Sequence, residues 1–228
     1  MSLIITKMKL IEKDDFYLIK DFFPSDIVAG FTKTTLLGRD VMGDMRKAFV
    51  ESGIDFGIAF MRQLHSGDVH FIDEQGVYEG DALFTKRSGL ILVVKTADCL
   101  PLFLYYDKND IAGVVHLGWR SAKEGILDNL NIDFGHSRAV AGAALRKCCF
   151  QVTDEFLEYD NLRPFIKKKE GHLYYDAVAF AKSMLLGKGL KNIRFRDLDM
   201  CTFCDSRNLF SYRRDKTKKR MLSFILKK

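Results

Sequence analysis

Three side chains stand out for the chemistry their types permit. They are His65 in Gln63-Leu64-His65-Ser66-Gly67, Cys99 in Thr96-Ala97-Asp98-Cys99-Leu100-Pro101, and His116 in Val114-Val115-His116-Leu117-Gly118-Trp119-Arg120. Two imidazoles and a thiolate are a good donor set for Zn²⁺, and three protein ligands leave the fourth tetrahedral position open, the mark of a catalytic rather than a structural ion. Each residue also has a plain reading. A cysteine at a strand end is commonly core, and a histidine after an apolar strand is commonly a hydrogen-bonded structural residue. The separations of 34 residues (65 to 99) and 17 residues (99 to 116) match no local metal-binding spacing, so the fold has to bring the donors together.

The elements that must position them are clearest in the centre of the chain. Leu90 to Lys95, Pro101 to Tyr106 and Ile111 to Leu117 are apolar, β-branched or aromatic runs that read as buried strands, and Lys108-Asn109-Asp110 reads as the hairpin turn between the last two. Cys99 and His116 then fall at the ends of adjacent strands. Trp119 to Leu130 has helical spacing, with Ala122, Ile126, Leu127 and Leu130 on one face, which puts a strand-to-helix turn at His116 to Trp119.

Elsewhere the pattern predicts short strands and turns from Tyr17 to Phe31, a helix at Asp44 to Ser52 and a buried strand at Ile54 to Met61. A strand at Ala139 to Leu145 and a helix near Thr153 to Tyr159 follow. Asp176 is placed to cap a helix running to Leu186, with Gly187 and Gly189 where helices stop, and late strands are expected at Asn192 to Arg196 and Met221 to Leu226. Strands and helices interleave without a regular βαβ rhythm. The expectation is an α+β (mixed α/β) fold: one layered domain over residues 1–228, with a mixed β-sheet core flanked by helices.

Composition sets the broad class. With 228 residues, 47% apolar residues and only three prolines, the chain can bury a substantial core and offers no low-complexity linker or repeat. Its apolar runs fall far short of the roughly 20 residues a membrane-spanning helix needs. The N-terminal region mixes charges into its apolar residues instead of forming a secretory signal, so a soluble, cytoplasmic protein is expected. Five cysteines, an odd number, argue for reduced thiols rather than a disulfide framework. The formal charge of +6 concentrates in Lys167 to Lys169 and from Arg213 to Lys228; it reads as a solvated basic face or as a site for anionic ligands.

Five segments occur together in order: Gln63-Leu64-His65, Glu79-Gly80-Asp81-Ala82-Leu83-Phe84-Thr85, Thr96 to Pro101, Val115-His116-Leu117-Gly118-Trp119-Arg120, and Phe210-Ser211-Tyr212-Arg213-Arg214-Asp215. In order and spacing they resemble the YfiH-like, or laccase-domain, family over roughly residues 55 to 225. The resemblance implies a zinc site at His65, Cys99 and His116 in an enzyme of purine nucleosides, with phosphorolysis of adenosine, inosine, guanosine and methylthioadenosine and deamination of adenosine. Zinc is expected rather than copper, because one cysteine and two histidines are too few ligands for a multicopper cluster. Purine nucleosides and phosphate are the expected partners, with no membrane or nucleic acid, and the protein is expected to be a monomer or small homo-oligomer.

Further roles stay open at this level. Arg62, Gln63 and Arg120 are candidates for contacts to substrate or phosphate, with a surface role the alternative for Arg62. Asp81 and Asp98 are candidates either for acid-base work or for fixing an imidazole tautomer. Trp119 either packs in the core or stacks on a base. Cys201-Thr202-Phe203-Cys204 could join Cys148 and Cys149 in a second zinc site, but structural or adventitious roles are the favoured reading. Two departures from the family pattern are Ser121, where a glycine is usual, and Gly142-Ala143-Ala144, where Gly-Pro is usual. A metal-free cysteine hydrolase built on Cys99 and His116, and an anion- or nucleic-acid-binding module built on Tyr212 to Arg220, are the rival classes.

Overall fold

The computed structural model describes residues 8–34, 56–206 and 208–228. Strands β1 (Lys9–Glu12), β2 (Phe16–Lys20) and β3 (Ile27–Thr32) come first, followed by β4 (Gly57–Gln63), β5 (Val69–Phe71), β6 (Gly76–Gly80) and β7 (Ala82–Thr85). The central apolar runs form β8 (Leu90–Thr96), β9 (Leu100–Tyr106) and β10 (Ile111–Leu117). After α1 (Trp119–Lys123) come β11 (Ser137–Ala141), β12 (Gln151–Val152), β13 (Ile166–Lys169) and β14 (His172–Tyr175). The chain closes with α2 (Ala177–Gly187), β15 (Phe195–Asp197), α3 (Tyr212–Asp215) and β16 (Met221–Lys227).

These strands make two large mixed sheets, in the orders β1-β2-β3-β16-β8-β4-β6 and β15-β11-β9-β10-β7-β5, and a small sheet β12-β14-β13. The α+β class holds, with two stacked sheets where one was expected. The side-chain period of two decides what lies between them. Phe103 and Tyr105 of β9 and Ala112 and Val114 of β10 pack with Leu92 and Val94 of β8 and with Met61 and Ile225, forming the core between the sheets. The alternate residues, Leu102 and Leu104 of β9 and Val115 and Leu117 of β10, face the other way and meet Ala122, Ile126, Phe180 and Leu185. The helices therefore cover one face of the six-stranded sheet. Each of the Val, Leu, Ile, Phe and Met side chains among them contributes roughly 1.5–3 kcal/mol on full burial. Gly113 leaves room for the Phe84 ring; a Cβ there would stand 2.1 Å from its Cδ1.

Several expected boundaries are corrected. The helix expected to reach Leu130 stops at Lys123: Gly125 turns into the left-handed region at φ +73, Ile126 and Leu127 reach the core from turns, and Leu130 reaches it from the irregular chain that follows. The strand expected to run to Leu145 ends at Ala141, and Ala144 forms a lone bridge to Cys201. The Thr153 to Tyr159 segment is a 3₁₀ turn at Asp154–Glu158, and Asn192–Arg194 is another ahead of β15. Asp176 caps α2 by accepting from the Ala179 amide at 2.9 Å. The helix expected at Asp44 to Ser52, and the first two residues of the strand expected from Ile54, lie outside the described residues.

Candidate metal centre and cavity

Each donor sits where a strand meets a turn. His65 follows β4 and adopts φ +59, and Asp98, at φ +91, occupies the short crossover that carries the chain from β8 to β9 and presents Cys99. Left-handed backbone is costly for residues other than glycine, and such conformations persist where surrounding structure fixes them, often at functional sites. His116 shares the face of β10 used by Ala112 and Val114, so its imidazole enters the seam between the sheets.

The ligand atoms of His65, Cys99 and His116 all lie within 4.8 Å of one another. Cys99 Sγ is 3.9 Å from His65 Nε2, and the two imidazole rings meet edge to face with centroids 4.9 Å apart. A tetrahedral ion with metal–sulfur and metal–nitrogen bonds of about 2.3 and 2.0–2.1 Å would hold a sulfur and a nitrogen about 3.6 Å apart. The cluster therefore fits a single ion of that size after a shift of a few tenths of an ångström. His116 Nδ1 is 2.7 Å from Asp81 Oδ1, which leaves Nε2 as the free donor atom.

Asp81 joins both halves of the site. Fully buried, it bonds His116 through one oxygen and, through the other, accepts from the Ser66 backbone amide at 2.6 Å and the Ser66 hydroxyl at 3.2 Å. Those bonds hold the turn that carries His65. Asp98 does not reach an imidazole. Its carboxylate accepts from Thr202 Oγ1 at 2.7 Å and from the Arg213 backbone amide at 2.6 Å, tying the Cys99 crossover to the segments after β15 and at α3. Gly118 closes the site from the α1 side, where a Cβ would lie 3.0 Å from His65 Cδ2 and 3.3 Å from Cys99 Sγ. Ser121 is buried and bonds the Gly118 amide at 3.1 Å and the His116 carbonyl at 3.3 Å, so its hydroxyl fastens the strand-to-helix turn.

Without an ion, the donors polarise one another. Burial pushes the Cys99 thiol up, but the adjacent His116 and His65 imidazoles outweigh it and hold the thiol at about 6. Burial lowers His116, and the Cys99 sulfur and Asp81 carboxylate overcome this and raise it to about 9. Cys99 is thus a ready thiolate, the form that binds metal or attacks an electrophile.

The three donors open onto a cavity of about 710 Å³ with a strongly basic lining: Arg62, Lys95, Arg120, Arg213, Lys218 and Arg220. Trp119 and Phe150 also line it. Trp119 packs against Phe156, with centroids 4.9 Å apart, and carries the Arg120 guanidinium over its ring at 4.4 Å.

The structure thus gathers His65, Cys99, His116 and Asp81 at one point, with Arg62, Gln63, Arg120 and Asp98 around the same cavity. Arg62 is paired to Glu79 at 2.6 Å, and the Gln63 amide group bonds both main-chain groups of Lys95, so both side chains are already engaged. Lys95 has no counterpart among the sequence candidates, and Arg213, Lys218 and Arg220 figured there only in the rival anion- or nucleic-acid-binding module. Lys95 is the one exposed residue of β8, and the sequence signal for it was a charge ending an apolar run. The other three lay in the basic tail, where only folding shows that they turn toward the cavity.

Fold and site define a class: a two-sheet α+β domain with a His₂Cys centre in its seam. Residues 39–228 match the family described as multi-copper polyphenol oxidoreductase laccase, and the chain belongs to that family. Among curated relatives, a protein of Aquifex aeolicus named purine nucleoside phosphorylase is 35% identical over 153 residues, 65% of this chain and 71% of its own. Another of that name, from Clostridium acetobutylicum, is 26% identical across 97% of this chain and 99% of its own. In three dimensions the chain is similar to YlmD from Geobacillus stearothermophilus, with a TM-score of 0.84 at 22% identity over 98% of this chain and 99% of that one. It is similar too to the Bacillus licheniformis hypothetical protein YfiH, with a TM-score of 0.83 at 24% identity over 97% and 99%.

Proposed function

We propose that this chain is a zinc-dependent purine nucleoside phosphorylase, acting on adenosine, inosine, guanosine and methylthioadenosine, with adenosine deamination as a second reaction of the same site. The observation that carries this reading is the three-donor cluster facing a cavity lined by six cations, in a chain whose relatives bear the phosphorylase name. We take residues 1–228 as one catalytic unit that works in the cytoplasm.

His65 Nε2, Cys99 Sγ and His116 Nε2 would hold the ion, leaving a coordination position toward the cavity. Bound there, zinc supplies Lewis acidity beside the substrate and lowers the pKa of a coordinated water. Asp81 keeps the His116 Nδ1 proton and so fixes the ring orientation. Arg120 and Arg213 bind the phosphate dianion and hold it for attack on the anomeric carbon, where a C–O bond forms as the glycosidic C–N bond breaks and the purine leaves as free base with the phosphate's proton, with Lys218 and Arg220 adding to the field. Trp119 and Phe150 line the cavity and carry the Arg120 and Arg213 guanidinium groups over their rings at 4.4 and 5.7 Å, so they position the phosphate-binding cations. Asp98 positions Arg213 through its backbone amide.

Metal analysis beside a panel of nucleosides, with and without phosphate, tests this in wild type and Cys99→Ala. Phosphate-dependent release of free base, lost together with one zinc ion in the variant, is expected; turnover and zinc content both untouched by the change would refute it. The same geometry favours a second reading, a metal-free cysteine hydrolase: the ligand atoms of Cys99 and His116 lie within 4.8 Å of each other, and the imidazole lowers the thiol pKa, as a nucleophile and its acid-base partner require. An activity that survives exhaustive chelation but not iodoacetamide would select it.

A further inference from the structure

A second cluster lies outside the cavity just described. Cys148 and Cys149 follow the Ala144 bridge, and Cys201 and Cys204 follow β15; the four sulfurs all lie within 4.8 Å of one another. Cys148 Sγ stands 3.6 Å from Cys201 Sγ and 4.0 Å from Cys204 Sγ, and Cys149 Sγ stands 3.5 Å from Cys204 Sγ. Four thiolates around a zinc-sized ion at about 2.3 Å occupy the corners of a tetrahedron with edges of about 3.8 Å. The observed separations bracket that edge. A disulfide framework explains them less well, because Cys148 and Cys204 each have two sulfur neighbours at similar range, well beyond the bonded S–S distance of about 2.05 Å.

The backbone has already brought the two pairs together. Ala144 N donates to Met200 O at 3.1 Å, and Thr202 N donates to Ala144 O at 3.0 Å, so the segments run side by side. Arg146 reinforces them, reaching Met200 O at 3.1 Å, Gly142 O at 2.9 Å and Asp197 at 2.7 Å. Four soft donors on two fastened segments, with the C-x-x-C spacing at Cys201 to Cys204, leave no position open for substrate, which is the coordination of a structural site.

We propose that Cys148, Cys149, Cys201 and Cys204 form a second metal site that binds one zinc-class divalent ion through four thiolates. Its place in the fold gives it a purpose. Thr202, inside the C-x-x-C turn, donates to Asp98 beside Cys99, and Phe150 and Gln151, immediately after Cys149, line the cavity. The ion staples the wall of the cavity to the crossover that presents Cys99. It takes no part in turnover.

The site is tested by metal stoichiometry and spectroscopy, independent of any nucleoside activity. In Cys99→Ala protein purified under reducing conditions, one tightly held zinc ion per chain is expected, and it should be absent from the C99A/C148S/C201S variant. Cobalt replacing zinc in Cys99→Ala should give the intense thiolate-to-cobalt charge-transfer bands of a tetrahedral all-sulfur centre, a readout that stands even if the triple variant fails to fold. Cys99→Ala that holds no metal, gives no such bands, or shows a disulfide among these four cysteines on peptide mapping would overturn the proposal.

Discussion

His116 Nδ1 and Asp81 Oδ1 stand 2.7 Å apart with both side chains buried, and the same carboxylate holds the Ser66 amide beside His65. One acidic side chain therefore sets the direction of two of the three donors.

The Asp81→Asn substitution keeps the shape but offers His116 a weaker acceptor and can leave the ring in the wrong tautomer. Removing such an outer partner weakens metal binding about 10–100-fold. Competition against a chromophoric chelator should read a loss of that size, and wild-type affinity in the variant would remove Asp81 from the site.

The Cys99 pKa carries a sign that can be checked. In metal-free protein its thiol is held at about 6, whereas burial pushes Cys148 up to about 11. Thiolate grows as pH rises through the pKa, so alkylation at Cys99 should climb through pH 6, where an unperturbed thiol would wait until about 8.5. Peptide mapping after timed iodoacetamide pulses measures both residues at once. In His116→Ala the Cys99 midpoint should move up; an unmoved midpoint would sever the pair.

Gly118→Ala places a methyl group 3.0 Å from His65 and 3.3 Å from Cys99. The backbone angle is ordinary, so the fold should survive while the donors are pushed apart. Misplacement of this kind costs on the order of a hundredfold in rate. Circular dichroism and kinetics together distinguish this outcome from simple unfolding.

The cations of the cavity are not equivalent. Arg62 already has Glu79 at 2.6 Å, whereas among the described residues no carboxylate pairs with Arg120, which rests on Trp119. Loss of a charge-assisted bond costs about 1.5–3 kcal/mol, so Arg120→Ala should raise the KM for phosphate roughly tenfold or more, and Arg62→Ala far less. Equal effects would place the anion elsewhere.

Strands β8, β9 and β10 were legible because unbroken apolar runs admit few other readings and Lys108 to Asp110 marks their turn. The helix after Trp119 was overextended because its buried residues keep helical spacing across Gly125, where the backbone leaves the helix. The β13–β14 hairpin went unread: Ile166-Lys167-Lys168-Lys169 resembles a solvated charge run, yet Glu170 and Gly171 both take positive φ and make the tight turn of a hairpin. The three candidate ligands could be named only through the resemblance, and what the fold adds is that their ligand atoms lie within 4.8 Å of one another. Which aspartate meets an imidazole was not legible, because it depends on pairing: Val115 lies opposite Ala82, and that register alone brings His116 to Asp81.

The donors come from both layers: His65 from the end of β4, His116 from β10 in the facing sheet, and Cys99 from the strip of chain between them. On the proposed zinc reading, an ion held by all three would be a rivet through the sandwich as well as a reagent, and its binding would oppose unfolding. Ligand that binds only the folded state adds about 2.7 kcal/mol at a hundredfold excess over its Kd. On that reading, the melting temperature of the protein should rise with zinc concentration in wild type and not in Cys99→Ala at this site.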